Sequence, residues 1–247
     1  MELKNIFPNF NAMWVRWSAY EIADILNGRY IMPTADATAI PYSSTESLQE
    51  LLTDALNLGK AVYQKSDDVE HVCLAFVQKY GLLGLHKGAD SRVSPMKGGN
   101  ISPARKEHSS QEYGEELSHF TAEFQKLYLH FLSTRGELPA QLPKHLQAGL
   151  ATLTTKPIPS GLSYQLTSTC PSQMVWQPDD LIDVLYLAYG LAVTDASTPL
   201  KVCKNCGTVY YNPHQKSEFC SVKCRNYFNV KVFREKEKGE ATEQIVR

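Results

Sequence analysis

Four cysteines fall within 22 residues toward the end of the chain: Cys203-Lys-Asn-Cys206-Gly207, thirteen intervening residues, then Cys220-Ser-Val-Lys-Cys224. Two close pairs at this separation are the pattern of a tetrahedral zinc site with four thiolate ligands, in which pairs from different local structures converge on one point. The two-residue gap lets a tight turn aim both sulfurs one way, and Gly207 can take the positive φ that such a turn commonly needs. Cys220 and Cys224 are one helical turn apart, so both sulfurs can face the ion from the first turn of a helix. The unpaired amides and partial positive charge of that helix start favour thiolates over thiols. A knuckle, a short hairpin and a helix make a treble-clef arrangement. Four thiolates leave zinc no open position, so one structural zinc is expected and a catalytic metal is not. His214, between the pairs, could replace one ligand, and two disulfides or redox chemistry at one pair are the alternative uses.

Compartment bears on that choice. The start Met1-Glu2-Leu3-Lys4-Asn5 has neither the profile of a secretory signal nor that of a transit peptide. The longest apolar stretch, residues 181–193, contains Asp183 and is shorter than the roughly 20 residues that span a bilayer. A cytoplasmic, reduced address with no membrane partner is therefore expected, which disfavours disulfides. Hydrophobic and charged fractions of 43% and 21% exclude disordered and collagen-like classes and point to a folded, soluble chain.

The net charge of −1 conceals a segregation. Residues 1–200 carry 15 Lys/Arg against 21 Asp/Glu, whereas residues 201–238 carry 9 against 3. Along a helix after Ser221, Lys223, Tyr227, Lys231, Arg234 and Lys238 fall within an arc of about 80°. A basic stripe with an aromatic able to stack suits a nucleic acid, and Arg225 and Asn226 are candidates for reaching base edges. An ordinary solvated helix end, a protein partner or docking on the acidic remainder of the chain would use the same residues.

Cys203-x-x-Cys206-Gly207, the aromatic pair Tyr210-Tyr211, Phe219-Cys220-Ser221, Cys224-Arg225-Asn226 and the basic helix resemble the C-terminal zinc finger of bacterial CGNR proteins. Those proteins carry an upstream helical ABATE domain and are regarded as transcription regulators. The resemblance implies DNA as partner and covers about 35 residues. Where the family name spells Cys-Gly-Asn-Arg, this chain has Cys224-Arg225-Asn226-Tyr227. Upstream, only Tyr80-Gly-Leu-Leu-Gly-Leu85 is similar.

The rest of the chain must position this module. Residues 47–64 and the stretch after Asp67-Asp68 have helical spacing of apolar residues, the second ending at Gly81 with Cys73 on its core face. Residues 12–26 suggest a helix ending at Asn27-Gly28. Residues 86–110 suit no regular element and read as a mobile loop or a ligand-binding lid. A long helix is expected over 111–135, ending at Gly136, with His119 and His130 capping or packing. A hairpin is expected around Cys170-Pro171-Ser172. Pro178-Asp179-Asp180 reads as the start of a buried central helix over 181–193. The expected fold is mainly α (α+β): a helical domain over 1–198 open to an effector or partner, a four-cysteine zinc module with basic helix over 199–240, and a tail, 241–247. A homodimer is also open. No P-loop, dinucleotide fingerprint, His-Glu-x-x-His or Gly-x-Ser-x-Gly appears, so no enzyme is expected; Glu115-Glu116 and Asp179-Asp180 read as solvated helix residues or caps.

Overall fold

Two long amphipathic helices, α1 (Leu48–Tyr63) and α3 (Leu117–Thr134), bury their apolar faces against each other and form the centre of the molecule. The computed structural model describes residues 13–25, 28–85, 114–155, 163–178, 180–214 and 216–245. Leu51, Leu52 and Leu56 of α1 meet Phe120, Phe124 and Leu127 of α3 in one fully buried cluster. The helices approach closely because Gly59 faces α3: a Cβ there would lie 2.2 Å from the Phe124 carbonyl oxygen. Helix α2 (Val69–Tyr80) adds Cys73, Phe76, Val77 and Tyr80, with Phe76 edge-on to Phe124 at 4.7 Å. Cys73 is fully buried, and burial pushes its thiol up to about 12, which suits a core residue.

The expected helix over 12–26 is corrected: its described part forms strands. β1 (Met13–Trp17) pairs antiparallel with β4 (Ala39–Ser43), and β2 (Tyr20–Ile25) pairs with β3 (Gly28–Pro33). Aromatic and β-branched residues here meet cross-strand partners, Trp14 opposite Tyr42 and Ile22 opposite Ile31. Trp14 also donates from Nε1 to the Leu82 carbonyl at 2.9 Å, a contact 68 residues distant that no local period encodes. A short strand, β5 (Glu115–Glu116), completes a β2-β3-β5 sheet and starts α3 later than expected. The loop over 86–110, residues 111–113 of the expected helix and Asp179 lie outside the described residues.

After α3 an unexpected helix, α4 (Lys144–Thr155), packs back on it, followed by the expected hairpin, β6 (Ser163–Leu166) with β7 (Met174–Gln177). α5 (Leu181–Thr194) flanks α1 and α3 rather than lying at the centre. Leu181, Val184, Leu185, Ala188 and Ala192 are buried while Ile182, Tyr186 and Leu191 are half-buried. Among the half-buried residues, Tyr186 donates its hydroxyl to Glu123 of α3 at 2.6 Å, tying α5 to that helix. The chain continues through β8 (Leu200–Val202), β9 (Val209–Tyr211) and α6 (Val222–Ile245). The result is a mixed α+β fold with six helices and nine short strands among the described residues.

Candidate metal centre

The β8–β9 hairpin and the start of α6 bring the four cysteines together. Their Sγ atoms lie within 4.8 Å of one another, so Cys203, Cys206, Cys220 and Cys224 could hold a metal ion. Backbone geometry explains each pair. Gly207, at φ +69°, turns the chain so that its amide donates to the Cys203 carbonyl at 2.8 Å, and the Cys203 amide donates to Thr208 at 3.0 Å. At the second pair, the Ser221 hydroxyl accepts from the Cys224 amide at 3.2 Å, capping α6 and fixing where Cys224 points. Cys220 Sγ lies 3.7 Å from Cys206 and 3.5 Å from Cys224, far beyond a disulfide bond, and all four are free. His214 is not in the cluster; its carbonyl accepts from Lys201 and its amide donates to Asn212 at 2.9 Å.

The electrostatics push Cys203 and Cys220 in opposite directions. Burial opposes ionisation of Cys203, but the amides of Cys206, Cys220 and Asn205 outweigh it and bring its thiol down to about 6. Cys220, by contrast, is pushed up to about 12 by burial and by its cysteine neighbours. A divalent cation held among the sulfurs would favour the thiolate form of each ligand.

Comparison of the chain with protein-family models, curated proteins and solved structures finds no match. The physical arrangement alone therefore carries the reading of the site.

Around the cluster, Phe219 packs on Phe228 at 5.3 Å and the Lys204 ammonium meets Glu218 at 2.5 Å. Two residues of α1 also reach the module, and no local signal in the sequence marks them. Asn57 bonds the backbone of Val209, and Lys60 donates to the Gly207 carbonyl at 2.6 Å. Leu200 and Val209 belong to the same apolar cluster as α1 and α3.

The residues expected at a nucleic-acid surface, Lys223, Arg225, Asn226, Tyr227, Lys231 and Arg234, are all exposed on α6. They do not share one face. Lys223, Tyr227, Lys231 and Arg234 follow one another at steps of four, four and three, with the Lys223 ammonium 5.9 Å from the Tyr227 ring. Arg225 lies roughly opposite Lys223, two residues on at about 100° each. It lines a separate cleft of about 410 Å3 with Asn212, Lys216 and Ser221. Asn226 sits with exposed Val222, Val230 and Phe233 on a third side. The side chain of Lys238 lies outside the described residues.

Glu115 is corrected from a solvated residue to a buried one, 4% exposed. Its carboxylate accepts from the amides of Leu83, Gly84 and Leu85 at 3.0, 2.6 and 2.8 Å, so the Leu83–Leu85 segment is wrapped around it. Burial pushes Glu115 up to about 7 against the pull of those amides. Asp180, at the start of α5, is likewise buried. His130 bonds the Tyr189 hydroxyl at 2.7 Å, and His119 lies 3.7 Å from Glu116. No helix among the described residues is long and apolar enough to cross a membrane.

Proposed function

We propose that the cysteine cluster holds one structural zinc ion in a treble-clef module, and that α6 contacts DNA in a transcription regulator that acts by binding, not catalysis. The observation that carries this reading is the pairing of a four-cysteine cluster with an exposed basic helix whose first turn carries Cys224, with Cys220 two residues before the helix starts. A tetrahedron with Zn–S of roughly 2.3 Å has edges of about 3.8 Å. The Sγ separations of 3.7 and 3.5 Å at Cys220 are close to that edge. With four sulfur ligands the ion offers no site for substrate, so its contribution is to fix the hairpin and the start of α6 relative to each other.

For DNA, the face of Lys223, Lys231 and Arg234 would neutralise phosphates, and Tyr227 would stack. Arg225 and Asn226, held next to a metal ligand, would supply base contacts. The test is duplex DNA affinity measured over a range of salt. Log affinity falling linearly with log salt supports phosphate contacts, whereas weak, salt-insensitive binding removes DNA as the partner.

A second reading is favoured by one specific observation: Val222, Tyr227, Val230 and Phe233 leave large apolar groups exposed on α6. A protein partner or a second copy of the chain would cover such a surface. Sedimentation of the chain alone decides the second copy.

A further inference from the structure

We propose that the cavity between the end of α3, the end of α5 and β8 is a binding site for a small organic carboxylate with an apolar body. The cavity has a volume of about 400 Å3, within the range of roughly 300–1,000 Å3 typical of small-molecule sites. Phe131, Ala192, Val193, Leu200 and Val202 give its lining buried or half-buried apolar side chains, a floor beside which Thr134, Arg135, Lys204 and Glu218 are exposed. Three cations line it, Arg135, Lys201 and Lys204, against one carboxylate, Glu218.

Two of those cations are already matched. Arg135 donates from Nε and Nη2 to Glu137 at 2.9 and 2.6 Å and lies over the Phe131 ring, while Lys204 is paired with Glu218. Lys201 differs. It donates to the His214 carbonyl, a neutral acceptor, and has no carboxylate partner among the described residues. A positive charge beside an apolar floor selects an anion that also has apolar surface to bury. An inorganic anion would engage the charge and leave the floor wet; a neutral compound would leave the ammonium without a counter-charge. A carboxylate on an aryl or short alkyl body satisfies both.

The position gives the ligand a consequence. Phe131 and Arg135 belong to the helical body, whereas Lys201 and Val202 lead directly into Cys203, so a bound carboxylate bridges the body and the cysteine module. Such a ligand strengthens the docking that Asn57 and Lys60 already provide. This inference goes beyond the assignment of α6 to DNA and does not rest on it.

The experiment uses the full chain as purified, with no nucleic acid present. The probes are benzoate, hexanoate, the matched neutral amides benzamide and hexanamide, and inorganic phosphate at equal ionic strength. At a hundredfold excess over Kd, a carboxylate that binds the folded chain raises its melting temperature by roughly 5 °C or more, and the amides and phosphate leave it unchanged. Lys201→Met, and separately Thr134→Trp, which fills the mouth from the exposed end of α3 without altering any charge, each weaken carboxylate binding by about tenfold or more in calorimetry. Thr134→Trp tests the site even where Lys201→Met lowers stability. Absence of heat and of any shift with both carboxylates overturns the proposal. So does equal protection by amides or phosphate, or unchanged carboxylate affinity in Thr134→Trp.

Discussion

The carboxamide of Asn57 lies edge to edge with the backbone of Val209. Nδ2 donates to the Val209 carbonyl at 2.9 Å, and Oδ1 accepts from the Val209 amide at 2.8 Å. Side chain and strand thus exchange the same two bonds as a paired residue in a sheet. One turn further along α1, Lys60 donates to the Gly207 carbonyl in the first cysteine knuckle. The module is tied to the helical body at two polar points, the Val209 backbone and the Gly207 carbonyl, and by the buried Val209 side chain.

Asn57→Ala removes both bonds and leaves the Val209 amide and carbonyl without their partner. The expected loss is about 2 kcal/mol in urea unfolding, since each bond contributes about 1 kcal/mol net. Asn57→Asp should be worse, because a carboxylate oxygen then faces the Val209 carbonyl. An Asn57→Asp chain as stable as the parent would show the amide pairing to be energetically idle.

Metal removal should reach beyond the module. Elemental analysis is expected to give one zinc per chain, and Cys220→Ser or a strong chelator should unfold the hairpin. Because Leu200 and Val209 complete the core of α1 and α3, the helical body should then lose the transfer energy of those side chains, about 1.5–3 kcal/mol for each. Thermal unfolding followed by circular dichroism reads this directly. A body that melts at the same temperature with and without metal would show that the hairpin stays docked without its ion.

A chain ended at residue 198 is expected to keep its helical circular dichroism and to melt below the full chain, since the ending deletes Leu200 and Val209 and uncovers Asn57 and Lys60. Loss of the helical signal would place the boundary of the folding unit elsewhere.

Glu115 predicts a pH dependence. Its folded value of about 7 lies above the ordinary 4.5, so between those values the folded state holds a proton that the unfolded state has released. The contribution is fully present below about 4.5 and is lost as pH rises through 7, by on the order of 3 kcal/mol. Glu115→Gln cannot titrate and turns an amide nitrogen toward donor amides, so it is less stable than the parent at acid pH. The gap should narrow as pH rises; urea midpoints from pH 4.5 to 8 measure it, and a constant gap would exclude titration of Glu115.

On α6, the two faces should separate in binding. Neutralising Lys231 and Arg234 together is expected to lower the slope of log affinity against log salt by about two, uniformly across DNA sequences. Arg225→Gln, on the other side of the helix, should instead alter sequence preference. Unchanged binding by the double variant would leave a protein partner for this helix.

What is encoded within a few residues was legible before any folding. Cysteine spacing marks two pairs that could hold a metal ion, Gly207 permits the turn of the first, and apolar steps of three and four mark α1, α2 and most of α3. The hairpin around Cys170-Pro171-Ser172 was equally legible, because its turn and flanking strands are contiguous. Other features depend on distant partners. Residues 13–17 and 20–25 are strands because β4 and β3 pair with them, and their amides have no local way to choose between a helical partner and a distant one. Glu115 looks like a solvated acid until the Leu83–Leu85 amides close around it. Asn57 and Lys60 lie 152 and 147 residues from the backbone groups they bind, so nothing in their neighbourhood marks them as supports of the cysteine cluster. Local periodicity reports which face of an element is apolar; which polar atom that face delivers, and to what, is fixed only when the core closes.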